Sequence, residues 1–283
     1  MTPEPAWFIA IGVGVVGSFV IHLSQGLMRL GIRDGARGAG RRTWTWGAIL
    51  NLSAPLWVVV ANRFGPTTLY TSMYAVGLLP LLWFSCVRLG RDLRGRDLVG
   101  AGIIMVGTAL LGLDGLLGDR FSMADVRISP LLATGALTTL LVVPVAWLGK
   151  VRPAAPQGIL FGILGGTFLA LDSLLKGVAQ NDSGQAAFLP STGTGLLIFL
   201  LSFAGAAGAF GMVQWAHARN EAPSETVAGY DAAYVAVPVL LVPLALGQGG
   251  SVSWLCWTAL LLLLGGTALL VRSPDANPAP APE

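Results

Sequence analysis

Long apolar stretches separated by short polar connections run through the whole chain. No Asp, Glu, Lys or Arg occurs in residues 64–87, 183–218 or 232–271. A helix of about 20 apolar residues crosses a bilayer, and it satisfies its backbone polar groups internally. The two-residue alternation that is typical of membrane barrels is missing. The pattern therefore predicts an all-α polytopic membrane protein.

Nine membrane-spanning helices are predicted from these stretches. The composition supports this number of apolar segments, because 54% of the residues are hydrophobic and 11% are charged. A soluble domain carries roughly one quarter charged residues. The predicted spans are 7–28, 44–61, 67–87, 97–117, 128–149, 157–178, 194–215, 225–246 and 252–272.

Basic residues are divided unequally between alternate loops. Thirteen Arg and Lys residues fall on one side of the predicted helices and three fall on the other. Cytoplasmic loops carry the excess, so the N-terminus is predicted outside, the C-terminus inside, and the chain in the cytoplasmic membrane. The first span follows MTPEP without a basic segment, so we expect it to be retained. The loop arginines account for the pI of about 9.2, and no nucleic-acid partner is predicted.

Two short motifs recur in the same order along the chain. GSFVIHLS at 17–24 is similar to GTFLALDS at 166–173, and GTALL occurs at 107–111 and again at 266–270. An offset of five helices gives the two copies opposite orientations in the membrane. Inverted repeats of this kind occur in secondary transporters, whose binding sites lie where the repeats meet.

The duplication predicts an organisation of four helices, a connector and four helices. The first repeat is assigned to residues 1–120, the connector helix to 121–155 and the inverted second repeat to 156–272. The Pro- and Ala-rich end, 273–283, is predicted to be a disordered cytoplasmic tail.

Asp172 and Lys176 are the first candidates for binding a substrate or a coupling ion. They lie one helical turn apart in the sixth predicted span, so they can pair along one helix face. Pairing lowers the cost of burying either charge in a membrane. In the alternative interpretation, Lys176 reaches water at the outer end of the helix and Asp172 only neutralises it.

Asp231 and His22 are the second candidates. Asp231 lies in the eighth span between Tyr230 and Tyr234, where a charge costs about 2.5–3.5 kcal/mol on insertion scales. It should face a cavity or a partner, unless it sits ionised at a water-filled cytoplasmic mouth. His22 in the first span could serve a proton relay, or it could be a neutral histidine bonded to a neighbouring helix.

The remaining polar candidates are Tyr74, Asn51 and Gln214. They either line the same cavity or tie helices together. No nucleotide-binding loop, zinc motif or nucleophile elbow occurs in the sequence, so neither an enzyme nor a cofactor is predicted, and no metal ligands are assigned. Cys86 and Cys256 lie inside apolar spans and are expected to be buried thiols.

The order of several motifs resembles the drug/metabolite transporter superfamily (EamA-like), and within it the NIPA-like magnesium transporters. These motifs are GSF, QGLMRL, an arginine-rich loop, WTWG, FGPTTL and GTALL, which together extend from Gly17 to Leu111. A fainter likeness occurs around Lys176 and Gln214. The resemblance implies a nine-span transporter with an inverted repeat, and it implies a role for Lys176.

This chain differs from that family at positions that bear on the substrate. Ala54 and Pro55 stand where the family carries a Gly-Glu pair, and Arg91 stands where it carries an acidic residue. Ser24 and Gln25 replace basic residues in the first span. A hard dication prefers charged oxygen ligands, and one such ligand of the family is missing here. We therefore take the expected architecture from the resemblance and keep Mg²⁺ as an alternative substrate.

The sequence therefore predicts an integral secondary transporter that moves a small solute by alternating access, coupled to a proton or cation gradient. A transporter of Mg²⁺ or another divalent cation is one alternative, and a non-transporting membrane scaffold or partner subunit is another. The sequence does not specify the oligomeric state, for which a homodimer is one candidate. It also does not specify the substrate or the direction of transport. A continuous polar cavity that joins Asp172, Asp231 and Asn51 at mid-depth would favour transport, and a solid apolar core there would favour the scaffold.

Overall fold

A computed structural model describes most of the chain in eight ranges. Within these ranges the secondary structure is helical and contains no strand. The tail at 273–283 and five arginines of the topology prediction, Arg37, Arg91, Arg120, Arg152 and Arg272, lie outside the described residues. The described ranges are 5–35, 38–90, 94–117, 123–151, 157–183, 187–219, 223–247 and 253–271.

The described chain forms eleven α-helices and two short 3₁₀ turns. The turns are Tyr74–Gly77 and Met123–Asp125. The helices are α1 (Pro5–Arg33), α2 (Ala39–Leu52), α3 (Ala54–Phe64), α4 (Thr67–Ser72), α5 (Leu78–Leu89), α6 (Gly95–Leu117), α7 (Ile128–Val151), α8 (Gln157–Gln180), α9 (Gly193–Ala218), α10 (Pro223–Ala245) and α11 (Trp254–Val271).

Eight segments of the described chain are long and apolar enough to cross a membrane. They coincide with the first eight predicted spans, with α2 and α3 forming one span and α4 to α5 forming another. The ninth prediction corresponds to α11, whose described apolar part, Trp254–Leu270, is shorter than the other eight segments. The chain is therefore a multi-pass, all-helical membrane protein.

Two predicted spans are broken rather than continuous, and a proline follows each break. The second span stops at Ser53 between α2 and α3, with Pro55 in the first turn of α3. The third span passes through the 3₁₀ turn at Tyr74–Gly77 before Pro80. Proline lacks an amide hydrogen and clashes with the carbonyl four residues earlier, which accounts for an interruption of the helix at both points.

The sixth span, α8, lies at the centre of the molecule. In its most apolar window 78% of the residues are buried, compared with 11% in α7. α8 packs against α9 and α10, and α1 packs against α2, α3 and α5. α6 and α11 pack against each other. This arrangement brings the polar residues of α1, α8 and α10 into the interior.

Candidate functional site

His22 on α1 and Asp231 on α10 form a hydrogen-bonded pair in the interior. His22 Nε2 lies 2.8 Å from Asp231 Oδ2, and both side chains are 0% exposed. Nδ1 of His22 lies 2.8 Å from the carbonyl oxygen of Ser18, one turn earlier on α1. The interpretation of Asp231 as a solvated residue at the cytoplasmic mouth is therefore wrong. His22 does bond to a neighbouring helix, and its partner is a carboxyl group.

Asp172 and Lys176 form a second buried pair on α8. The ammonium group of Lys176 donates to Asp172 Oδ1 and, over 2.9 Å, to the hydroxyl of Ser202 on α9. It also lies 4.1 Å from the centroid of the Phe203 ring, which is a cation–π contact. Both side chains of the pair are 0% exposed. The interpretation in which Lys176 reaches water is therefore wrong.

All four tyrosines of the chain lie between these two pairs. The rings of Tyr74 and Tyr234 are 4.5 Å apart between centroids, and the rings of Tyr74 and His22 are 5.0 Å apart. The hydroxyl of Tyr234 forms a 2.8 Å hydrogen bond with Ser173. Tyr74 and Tyr234 thus connect the two pairs. We call these two tyrosines and the four residues of the pairs the interior cluster.

The break in the third span is held by Ser18 of α1. The Ser18 hydroxyl donates to the carbonyl of Tyr74 and accepts the amide hydrogen of Gly77 over 2.8 Å. Both are backbone groups of the 3₁₀ turn, and in a membrane backbone polar groups need a partner inside the protein. A Cβ atom at Gly77 would lie 2.6 Å from the Ser18 carbonyl oxygen, so only glycine allows this approach next to His22.

Each carboxyl group of the cluster retains one oxygen without a hydrogen-bond partner among the described residues. These atoms are Asp172 Oδ2 and Asp231 Oδ1. A buried carboxyl oxygen without a partner is costly, and it can accept a hydrogen bond from a water or a polar solute. The cluster therefore has unused acceptor capacity at two points.

Asn51 and Gln214, also predicted for the site, contact α1 closer to its C-terminus. Asn51 donates to the Ser24 hydroxyl over 3.1 Å. Gln214 on α9 accepts from the Trp44 indole over 3.1 Å and donates to the Met28 sulfur over 3.0 Å. These contacts tie α1, α2 and α9 together and include no member of the interior cluster.

The opposite end of α8 carries a polar network that the sequence interpretation missed. Gln180 accepts from Asn62 on α3 over 3.1 Å and donates to the backbone carbonyls of Val59 and Ala187 over 3.0 and 2.9 Å. Thr67 donates to Asn62 over 3.0 Å. The position of Gln180 at the end of an apolar helix gave no signal, because its partners come from distant parts of the chain.

Of the seven predicted site residues, the structure brings together His22, Tyr74, Asp172, Lys176 and Asp231. Ser18 and Ser202 complete the site and were not predicted. The spacing Ser18-x-x-x-His22 was a usable signal, since residues four apart face each other on a helix. Ser202 offered none, because its role depends on how α9 packs on α8.

No group of three His, Cys, Asp or Glu side chains that could hold a metal ion occurs within the described ranges. Comparisons with protein-family models, with curated proteins and with solved structures find no match to this chain. The fold and the site define the class: a multi-pass helical membrane protein with two pairs of ionisable side chains buried in its interior.

Proposed function

We propose that the chain is a secondary transporter of the drug/metabolite type, which moves a small solute across the cytoplasmic membrane by alternating access. One observation carries this proposal, namely the two fully buried pairs, His22 with Asp231 and Asp172 with Lys176. They lie inside apolar helices and are joined by tyrosines. Such a set of polar groups can bind a solute that lipid excludes.

The cost of burying these groups supports a functional role. Each ionisable residue at the centre of a membrane helix costs about 2.5–3.5 kcal/mol on insertion scales. Buried ion pairs can often be replaced by apolar residues without loss of stability. Packing alone therefore gives little reason for two pairs, whereas a transport pathway requires polar groups at this depth.

An inverted repeat is part of the proposal, and the tyrosines support it. Tyr70 and Tyr74 lie four residues apart in the third predicted span. Tyr230 and Tyr234 have the same spacing in the eighth span, which is its predicted counterpart. The two tyrosine pairs meet at the interior cluster, as expected for residues on two repeats that face each other across a central site.

Contacts on both sides of the cluster fit a closed intermediate of an alternating-access cycle. On one side Gln180 bonds to Asn62, and this side is the outer one in the predicted topology. On the other side Arg29 donates to the carbonyl oxygen of His217 over 3.1 Å, and Trp44 donates to Gln214. We propose that these two sets of contacts open in turn.

The two alternative functions, a scaffold and a Mg²⁺ transporter, fit the buried pairs less well. A scaffold would need no ionisable groups in its core, and the buried pairs do not favour it. Transport of Mg²⁺ would need oxygen ligands, and the interior offers two carboxyl groups, Asp172 and Asp231, each bonded to a basic side chain. We therefore favour an organic solute.

The test compares the metabolites of cells with and without the protein. We expect one or a few solutes to change in abundance, and we expect Asp172→Asn and Asp231→Asn to abolish the change while the protein still inserts into the membrane. Asp34→Asn is the matched control, since the Asp34 side chain is 45% exposed and pairs with the exposed, neighbouring Arg33. Normal activity of both interior variants would refute the site.

A further inference from the structure

The hydrogen-bond geometry around His22 fixes which of its nitrogens carries a hydrogen. A backbone carbonyl oxygen can only accept a hydrogen bond, and the carbonyl of Ser18 lies 2.8 Å from His22 Nδ1. Nδ1 must therefore be the donor. His22 Nε2 then faces Asp231 Oδ2 at 2.8 Å, and a bond of this length needs a hydrogen between the two atoms.

That hydrogen belongs to the pair rather than to either residue. If it resides on Nε2, the pair is an imidazolium with a carboxylate. If it resides on Oδ2, the pair is a neutral imidazole with a carboxylic acid. In both cases the pair is neutral overall and holds the same number of protons.

Loss of this proton changes the contact between α1 and α10. Proton transfer from the pair to a water molecule leaves a lone pair on His22 Nε2 facing the carboxylate of Asp231. The net charge of the pair then falls from zero to minus one, and two acceptors face each other in an apolar interior. Such an arrangement is strongly unfavourable, so the deprotonated pair favours separation of the two helices and entry of water.

The other groups that face the pair are neutral or already paired. The Tyr74 ring of the 3₁₀ turn is tilted against the His22 ring, with the centroids 5.0 Å apart, and Tyr230 and Tyr234 flank Asp231 along α10. α3 faces the cluster with Ala54 and Val58. Tyr70 on α4 belongs to the same buried cluster as these tyrosines, and on α8 Asp172 is bonded to Lys176.

We propose that the His22–Asp231 pair is a proton-binding site whose single proton closes the contact between α1 and α10, so that the proton is the coupling ion. This inference rests on the proposed transport function. It assigns different roles to the two pairs: the His22–Asp231 pair carries the proton, and the Asp172–Lys176 pair remains charged in the interior. One proton is bound and released in each cycle.

One substitution separates the proton from the hydrogen bond. In Asp231→Asn, the amide group donates to His22 Nε2 while Nδ1 continues to donate to Ser18. The variant thus keeps the bond between α1 and α10 but has no proton to release. We expect it to fold like the wild type and to remain in the closed state at every pH.

Hydrogen exchange of the backbone amides around His22 and Asp231 measures the opening of this contact in the purified, full-length protein. After correction for the intrinsic pH dependence of exchange, opening linked to loss of one proton should increase about tenfold per pH unit over the titration range of the pair. Asp34→Asn should behave like the wild type, and Asp231→Asn should show no pH dependence. A wild-type protein whose opening is independent of pH would overturn the proposal, as would an Asp231→Asn variant that keeps the wild-type dependence.

A second measurement needs no variant of the pair. The chain has two histidines, so ¹⁵N-labelled histidine in a His217→Gln background reports on His22 alone. We expect Nδ1 to remain protonated near neutral pH while the Nε2 signal changes on titration. An unprotonated Nδ1 in the closed protein would overturn the proposal.

Transport assays distinguish failure of this inference from failure of the proposed function. If the solute change that depends on the protein disappears when a protonophore collapses the proton gradient, the coupling is supported. If the change persists with the protonophore, transport stands and the proton coupling is refuted. If no solute changes with the protein at any pH, the transport function itself is refuted, and the coupling with it.

Discussion

At the residue scale, substitutions in the Asp172–Lys176 pair test whether these two buried side chains are ionised. Lys176→Met keeps the side-chain length but leaves Asp172 as an unpaired buried acid. Breaking a buried ion pair from one side costs about 3–5 kcal/mol, so we expect a loss of that size in the free energy of unfolding. Chemical denaturation in detergent measures it.

The double variant Asp172→Asn/Lys176→Met supplies the control for this prediction. It removes both charges, so we expect it to recover most of the lost stability. Arg33→Met removes one partner of an exposed pair, whose side chains are 42% and 45% exposed, and should change stability by at most about 1 kcal/mol. A Lys176→Met protein as stable as the wild type would mean that Asp172 is not ionised.

Asp182, between α8 and α9, makes a separate prediction about pH. Its carboxylate accepts hydrogen bonds from the hydroxyl groups of Ser191 and Thr192 and from their amides. The Ser191 hydroxyl, followed by the Thr192 groups, lowers the pKa of Asp182 from its ordinary value to about 2. The stabilisation is therefore complete above about pH 4 and is lost as the pH falls through about 2.

This prediction is measured by hydrogen exchange at the amides of Ser191 and Thr192. After the exchange rates are corrected for intrinsic exchange, the protection of these amides should stay constant from pH 7 down to pH 4. The lower limit is roughly the ordinary pKa of a free aspartate. Asp182→Ala should remove the protection at every pH. Protection that is already lost at pH 5 would show that the carboxylate is not held by these bonds.

The sequence predicted single residues better than their partners. The pairing of Asp172 with Lys176 followed from a spacing of four residues on one helix. The pairing of His22 with Asp231 did not, because 209 residues separate them and either residue could have met another polar group. Partners across helices depend on helix rotation, which the apolar pattern of a membrane helix specifies weakly.

At the element scale, the close approach of α8 and α10 positions Asp231. A Cβ atom at Gly166 would lie 2.9 Å from the carbonyl carbon of Tyr230, so the two backbones are nearly in contact. Small residues allow such packing in membranes. The position of Asp231, next to Tyr230, therefore depends on the absence of a side chain on α8.

Gly166→Ala should push α10 away from α8 and destabilise the protein by about 1–3 kcal/mol. The matched control is Gly211→Ala on α9, where a Cβ atom meets nothing within 4 Å. That variant should be neutral or more stable by up to about 1 kcal/mol, because alanine favours helix more than glycine does. Thermal unfolding of both variants in detergent checks the difference, and equal melting temperatures would argue against the close contact.

The positions of the helices could be read from the sequence, but their breaks could not be placed. Pro55 and Pro80 follow the two breaks, and a proline frees backbone groups within a helix. Whether a membrane helix bends, breaks or tightens at a proline depends on what satisfies those groups. At Tyr74–Gly77 the partner is Ser18 of another helix, and the local sequence contains no information about that contact.

At the scale of the whole molecule, helices of similar hydropathy occupy very different environments. The spans α7 and α8 have mean hydropathies of 2.0 and 1.8, yet 11% and 78% of their windows are buried. Lipid and protein interior are almost equally apolar, so hydropathy does not distinguish a central helix from a peripheral one. The number of spans was therefore predictable, and the central position of α8 was not.

Alternating access in the whole molecule requires that water reaches the interior cluster from each side of the membrane in turn. Ser173 is fully buried between Asp172 and Tyr234 and is small enough to be replaced by cysteine. Ala259 on α11 is equally buried but lies in the apolar packing with α6. The native cysteines, Cys86 and Cys256, can be replaced by serine beforehand.

The most direct measurement is labelling of Ser173→Cys by a membrane-impermeant thiol reagent in right-side-out and inside-out vesicles. Alternating access predicts labelling from both sides, at rates that change when Asp231 is replaced by Asn, while Ala259→Cys stays unlabelled. A Ser173→Cys protein that is inaccessible from both sides, like the Ala259→Cys control, would contradict the account.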